Sequence, residues 1–330
     1  MNIIEITNCP STLAQGFHSY SPTALKKLFG GKKVSHILAY TSPTNNTENK
    51  SIFENKQRLI SISGVQEKFL LRLEKNKLSL INEGEQGTYI LKPIPSQGKN
   101  KEQIPANEQL TMQIAKQIYG IETAENGLIF FESGEPAYIA KRFDINSEGA
   151  KLAQEDFASL AARTSQTHGE NYKYLGNYLE MFALMEAKVP AYATEAPKLF
   201  KIIVFNYLFS NGDAHFKNFS LLETPQGDYR LSPAYDLLNS RIHVEDSDFA
   251  LADGLLPRNL AQAKIATQFE TLATQAKISP PIFKNIITLM LSKADAVQKM
   301  INASFLKENI KKNYLQAYQT RLKQLQKSKI

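Results

Sequence analysis

The hydrophobic pattern changes character once along this chain, and that change limits the fold more than any other feature. Between residues 58 and 142 the apolar residues come in short runs rich in Val, Ile, Leu and Phe, separated by tight turn signals. Residues 58–63, 67–74, 77–82, 88–93, 127–131 and 136–142 read as strands of an antiparallel sheet. One helix interrupts them at 105–119, where Leu110, Ile114 and Ile118 fall on one face and Gly120 caps the end. From Gln154 onward the spacing turns helical, at 155–162, 174–186, 196–209, 259–276, 281–300 and 304–327. Only two short strands, 219–222 and 229–231, break this series, around the turn Pro225-Gln-Gly-Asp228. A short helix at 22–29 precedes the sheet, with Ser21 as cap, Pro22 in its first turn and Gly30-Gly31 as its stop. Residues 41–51, rich in Ser, Thr, Asn and Pro, read as an exposed loop.

This order predicts an α+β, bilobal, protein-kinase-like fold. A strand-rich lobe spans 1–145, a helical lobe spans 146–330, and the hinge falls at 142–150. The 330 residues suffice for a large core, and a nucleotide would lie in the crevice between the lobes.

Composition removes several classes. With 42% hydrophobic and 22% charged residues, the chain has an ordinary globular balance. No apolar run is long enough to span a bilayer, and the N-terminus lacks the basic start and apolar stretch of a signal peptide. The single cysteine, Cys9, excludes an internal disulfide and a cysteine-based zinc site. A reducing, cytoplasmic setting is expected. The net charge of +7 permits contact with nucleic acid or an acidic protein without establishing it. Part of the excess is local: Lys307, Lys311, Lys312, Arg321, Lys323, Lys327 and Lys329 crowd the last helix with Glu308 alone against them. This reads as a solvated helix face.

Chemistry concentrates where the apolar run 200–209 stops. It ends abruptly in Ser210-Asn-Gly-Asp-Ala-His-Phe-Lys-Asn-Phe-Ser220, and Pro233-Ala-Tyr-Asp236 follows at short range. An Asp-x-His pair in a loop is commonly a turn or cap. Here the loop follows a buried element and gathers Asp213, His215, Lys217 and Asn218, with a second lone carboxylate soon after. Phosphoryl transfer needs this inventory: a carboxylate to take the proton of the attacking hydroxyl, and an Asn and an Asp to hold Mg²⁺ on the phosphates of ATP. Asp213 suits the base. Asn218 and Asp236 suit the metal, which prefers hard oxygen ligands. Lys92 ends an apolar strand before Pro93 and is a candidate for the ATP phosphates, with Glu108 in the next helix as a possible partner. Alone, Ser61-Ile-Ser-Gly-Val-Gln-Glu-Lys68 carries one glycine and reads as a plain hairpin turn rather than as a phosphate loop. The same inventory serves protein kinases, small-molecule phosphotransferases and lipid kinases. A non-catalytic, DNA-associated corepressor using the basic surface is a rival from another class.

In order along the chain, Ser61-Ile-Ser-Gly-Val-Gln-Glu-Lys68, Tyr89-Ile-Leu-Lys92, Asn107-Glu108, Lys141-Arg-Phe-Asp144, Gln154-Glu-Asp156, Asn211-Gly-Asp-Ala-His-Phe-Lys-Asn-Phe219 and Tyr229-Arg-Leu-Ser-Pro-Ala-Tyr-Asp236 resemble the motifs of HipA-like serine/threonine kinases. The likeness is dense over residues 55–245. It implies a bacterial toxin of a toxin–antitoxin system that phosphorylates an aminoacyl-tRNA synthetase to halt translation. The partner is a helix-turn-helix antitoxin like HipB, through which any DNA contact is indirect. The short N-terminus resembles HipT, the compact form of the toxin. By that resemblance a small separate protein, HipS-like, supplies the subdomain that longer members carry.

Residue by residue, the resemblance makes Asp213 the base, with His215 and Lys217 beside it. Asn218 and Asp236 become the Mg²⁺ ligands and Lys92 the lysine on the ATP phosphates. Ser63, Gly64, Val65, Gln66 and Lys68 fall in the phosphate loop, with Ser61 and Ser63 as autophosphorylation sites. Lys141 and Phe143 mark the hinge whose backbone meets adenine, and Asp144 is expected to reach the ribose.

Overall fold

A computed structural model describes residues 5–43, 67–245, 247–261 and 264–327. The loop residues Ser61, Ser63, Gly64, Val65 and Gln66, the strand expected at 58–63, most of the loop expected at 41–51, and Lys329 lie outside the described residues.

Six strands form the larger sheet: β1 (Ile37–Leu38), β2 (Phe69–Glu74), β3 (Lys77–Leu80), β4 (Tyr89–Lys92), β5 (Asn126–Phe131) and β6 (Pro136–Lys141), in the order β1-β5-β6-β4-β2-β3. All neighbours are antiparallel except β1 and β5, which pair parallel.

Alternation along each strand sorts side chains to two faces. Phe69, Leu71, Tyr89, Leu91, Ile129, Phe131, Ala137 and Ile139 form one core with the N-terminal segment, including Cys9, Tyr20, Leu28 and Phe29. Helix Pro22–Phe29 lies in this layer. Its cap Ser21 accepts from the Ala24 N–H, and Gly30, at φ 62°, ends it in the left-handed region where a side chain would be strained. The opposite parity puts Leu70, Ile90, Lys92, Tyr138 and Ala140 on the other face, along the cleft.

Helix Ile104–Gln117 packs beneath that second face. Its apolar period predicts a one-sided helix, yet Asn107, Glu108, Gln109, Thr111 and Gln113 are buried too. Buried polar groups need partners, and each of these residues has at least one. Gln109 donates to the Ser11 carbonyl at 2.7 Å. Asn107 donates to the Asn239 carbonyl at 2.8 Å. Thr111 lies 2.7 Å from the Tyr314 hydroxyl.

The second half packs around helix Tyr192–Leu208, whose Phe205 and Phe209 rings stack at 4.3 Å, with Phe209 on Tyr318 at 5.0 Å. A smaller antiparallel sheet joins β7 (Gln154–Asp156), β8 (Ser220–Glu223) and β9 (Tyr229–Leu231).

The structure departs from the sequence expectation in several places. The helices expected at 174–186 and 259–276 begin only at Tyr178 and Ile265, with Tyr174 in a separate short turn. Residues 154–156 form a strand, because they pair with 220–222, and only Phe157–Leu160 is helical. The helix expected at 281–300 is two, Pro280–Leu291 and Ala294–Ala303. Arg321 does not join a solvated face. It is 1% exposed, bonded to Asp248 at 2.5 Å and placed 4.8 Å from the Tyr207 ring centre. Among the described residues no helix is long and apolar enough to cross a membrane.

Candidate active site

The cleft between the larger sheet and the 210–236 segment encloses about 610 Å³, a volume suited to a small-molecule ligand. Strand parity delivers one wall. On β4, Lys92 lies two residues beyond Ile90 and so shares its face. The Lys92 ammonium donates to Glu108 Oε1 at 2.6 Å and to Asp236 Oδ1, and stands 5.3 Å from the Tyr138 ring centre. Burial pulls the Lys92 ammonium down, but the carboxylates of Asp236 and Glu108 more than offset this and hold it above its ordinary value. Burial likewise pushes Glu108 up, against the pull of Lys92.

The opposite wall is the loop after helix Tyr192–Leu208. The chain leaves that helix sharply, with Ser210 at φ 54°. The Asn211 side chain donates to Asn206 Oδ1 at 2.9 Å, and the Gly212 N–H donates to Ser240 Oγ at 2.8 Å. Asp236 is fixed from its other side, where Ala234 exchanges backbone hydrogen bonds with Glu122 and Ala124. Its φ of 55° is left-handed, a conformation costing a non-glycine residue about 1–3 kcal/mol and concentrated at functional sites.

Asp236 and Asn218 meet: Asn218 Nδ2 donates to Asp236 Oδ2 at 3.2 Å, while Asn218 Oδ1 accepts from the His215 N–H at 3.1 Å. Lys68 lies 3.8 Å from Asp236 Oδ2. Burial would raise the Asp236 carboxyl, but Lys68 and Lys92 outweigh it and hold the group well below the carboxylate range. Ionised Asp236 and the Asn218 amide oxygen are hard donors. The donor set fits a Mg²⁺ ion held jointly with phosphates and water, once the Lys92 and Lys68 ammonium groups turn to the phosphates and the Asn218 amide oxygen, now accepting from the His215 N–H, turns to the metal.

Asp213 opens onto the same cleft and accepts from the Tyr174 hydroxyl at 2.7 Å. The protein around it pushes its carboxyl up, with the Tyr174 hydrogen bond opposing. His215 is buried, and desolvation with nearby Lys173 lowers it to about 3. It is therefore neutral near pH 7 and acts through its backbone N–H and its ring, which meets Tyr174 edge-on at 5.1 Å. Lys217 lines the cleft and pairs with Asp156 at 2.9 Å.

At the hinge, Phe143 and Tyr235 place their rings 5.8 Å apart, near Leu70, Ile90 and Ala140. The N–H groups of Lys141 and Arg142 already donate to Glu125 and Thr88 carbonyls, at 2.8 and 2.9 Å. Those two N–H groups are therefore not free to read a ligand. Asp144 is held by Arg142 through two hydrogen bonds, at 2.9 and 2.5 Å.

The structure thus brings Lys68, Lys92, Glu108, Lys141, Phe143, Asp144, Asp213, His215, Lys217, Asn218 and Asp236 to one cleft. It adds Lys173, Tyr174 and Arg142, which the sequence did not mark as functional. Arg142 stood inside a motif, but nothing distinguished it from a strand-end residue.

A sequence profile of the HipA-like C-terminal domain matches residues 60–298. Relatives named "Putative kinase" include one from Haemophilus influenzae, 28% identical over 82% of this chain and 78% of its own length. Another, Y4dM of Sinorhizobium fredii, is 31% identical over 66% of this chain and 54% of its own. In three dimensions the chain resembles one from the Shewanella oneidensis complex of HipA, HipB and operator DNA. That match has a TM-score of 0.62 and 20% identity, over 81% of this chain and 65% of that one. The chain therefore spans about half of Y4dM and under two thirds of the Shewanella chain. The fold is the mixed α+β, kinase-like one, and the chain belongs to the HipA-like C-terminal domain family.

Proposed function

We propose that this protein is an ATP-dependent kinase that phosphorylates protein serine or threonine hydroxyls. The observation that carries the reading is the convergence of Asp213, Asn218 and Asp236 with the Lys92–Glu108 pair on one cleft. In this reading Asp213 takes the proton of the attacking hydroxyl. Lys92, braced by Glu108, holds ATP phosphates, and Lys68 adds a second positive charge. Asn218 and Asp236 hold Mg²⁺, which neutralises charge building on the transferred phosphoryl group. Phe143, Tyr235, Leu70, Ile90 and Ala140 form the apolar surroundings of the base. Asp144 meets the ribose only by sharing its carboxylate with Arg142. The lobes divide at 145/146.

The family points to a toxin of a toxin–antitoxin system in the bacterial cytoplasm, with an aminoacyl-tRNA synthetase as acceptor. A HipB-like antitoxin and a HipS-like small protein would be its partners, and Ser61 and Ser63 its autophosphorylation sites. Supporting this reading are the family match and the Shewanella complex, which contains HipA and HipB.

The test is incubation of the purified chain with γ-labelled ATP, Mg²⁺ and bacterial lysate. The expected result is a labelled protein band, lost with Asp213→Asn and with Asp236→Asn. Removing a positioned base typically costs about 10²–10⁴-fold in rate. Label confined to small molecules, or undiminished in both variants, would overturn the proposal.

A further inference from the structure

The base Asp213 is not bare. The hydroxyl of Tyr174 donates to its Oδ1 at 2.7 Å, which is the contact an acceptor hydroxyl must make before giving up its proton. This hydroxyl is held in place from several sides. Tyr174 closes the turn Tyr172–Tyr174, its N–H bonded to the Asn171 carbonyl and its own carbonyl accepting from Ala252 at 2.8 Å. The His215 ring meets the phenol ring edge-on at 5.1 Å, and the Lys173 ammonium lies 5.0 Å from its centre. Tyr174, Asp213, Lys92, Asn218 and Asp236 all line one cleft.

We propose that Tyr174 is a phosphoryl acceptor in its own chain, modified in cis when ATP binds. The inference rests on the kinase reading above and concerns a residue other than Ser61 and Ser63. The reaction balances simply. The phenolic proton passes to the Asp213 carboxylate, a bond forms between Tyr174 Oη and the γ-phosphorus, and the bond from that phosphorus to the β,γ-bridging oxygen breaks. ADP leaves, and Asp213 later returns its proton to water. Tyrosine is longer than serine, but here its hydroxyl already sits on the base, so reach is no obstacle. The product dianion would face repulsion from Asp213 and attraction from Lys173. The repulsion withdraws the modified ring from Asp213.

The experiment follows the full-length chain with ATP and Mg²⁺, reading ADP release and locating phosphate by peptide mass spectrometry. The expected result is phosphate on Tyr174, approaching one per chain, absent with Asp213→Asn. Its rate constant should stay unchanged as the protein is diluted. ADP release with phosphate only at other residues overturns this inference and leaves the kinase reading standing, with Tyr174 merely orienting Asp213. Labelling of Tyr174 in an inactive Asp236→Asn chain by added wild-type enzyme, at a rate rising with enzyme concentration, overturns the cis geometry. No ATP turnover with any acceptor defeats both readings.

Discussion

The Lys92 ammonium meets the Glu108 carboxylate at 2.6 Å with both side chains almost wholly out of solvent. Strand β4 and helix Ile104–Gln117 are thereby joined by a charge pair under the cleft. Removing one member of such a pair leaves a buried charge uncompensated. Lys92→Met is expected to cost about 3–5 kcal/mol and to abolish ATP-dependent transfer. Lys92→Met with Glu108→Leu should regain only part of that stability, because Asp236 still loses Lys92 and keeps only Lys68 nearby, and none of the activity. Urea denaturation of the three proteins decides it: a single variant as stable as wild type would show that the pair does not clamp the fold.

His243 is expected to make stability depend on pH. Its Nε2 lies 2.8 Å from Asn107 Nδ2, and its Nδ1 lies 3.0 Å from the Lys99 carbonyl. Asn107 Oδ1 accepts from the Asn239 N–H and its Nδ2 donates to the Asn239 carbonyl, so the amide is oriented. His243 must then accept at Nε2 and donate at Nδ1, which requires the neutral ring. Burial lowers its proton affinity from the ordinary 6.5, while the Lys99 carbonyl and Glu102 oppose this. A lowered folded-state value means the unfolded chain binds more protons. The contribution is complete above 6.5 and is lost as pH falls below it. Protonation sets N–H against N–H, at about 1–3 kcal/mol. His243→Leu should flatten the change in urea midpoint between pH 7.5 and pH 5; an equal slope in both proteins would contradict the assignment.

Arg321 separates the sequence expectation from the structure most cleanly. Its guanidinium donates to Asp248 at 2.5 Å and to Gln324 at 3.2 Å, with 1% of the residue exposed. Arg321→Ala is expected to cost about 1–3 kcal/mol, because it empties a buried site beside the Tyr207 ring and breaks the bond to Asp248, whose own side chain is half exposed. Lys323→Ala, on the exposed side of the same helix, should stay within about 0.5 kcal/mol. Thermal denaturation of both gives the answer, and equal small effects would restore the solvated-face reading.

What was legible in the chain follows from how local each signal is. Lys92 could be read because it shares strand parity with Ile90 and precedes a proline. The loop holding Asp213 and Asn218 could be read because an apolar run stops there. Tyr174 could not, since its bond to Asp213 joins residues 39 apart and nothing nearby distinguishes it from a residue starting an amphipathic helix. Strand β7 was hidden for the same reason: Gln154, Glu155 and Asp156 become a strand only by pairing with β8. Arg321 misled because burial of a charge depends on where Asp248 and Tyr207 come from. The break between Leu291 and Ala294 carries neither Gly nor Pro, so the periodicity ran through it.

Mg²⁺ and nucleotide should bind together. Asp236 already has Lys92 on Oδ1, and Lys68 and Asn218 near Oδ2 at 3.8 and 3.2 Å. A divalent ion arriving alone meets two ammonium groups and must also shed water, which Mg²⁺ does reluctantly. Phosphates arriving with it give Lys92 and Lys68 another partner and release Asp236. Millimolar Mg²⁺ alone is therefore expected to leave the melting temperature unchanged. ATP with Mg²⁺ at a hundred times its dissociation constant should stabilise the fold by about 2.7 kcal/mol. Lys68→Gln removes one competing cation, and a partly exposed pair is worth about 0.2–1 kcal/mol, so this variant should bind Mg²⁺ alone a few-fold more tightly. Calorimetric titration with and without a non-hydrolysable ATP analogue measures both effects. Equal Mg²⁺ affinity in the two titrations would show that the lysines do not hold the metal position closed.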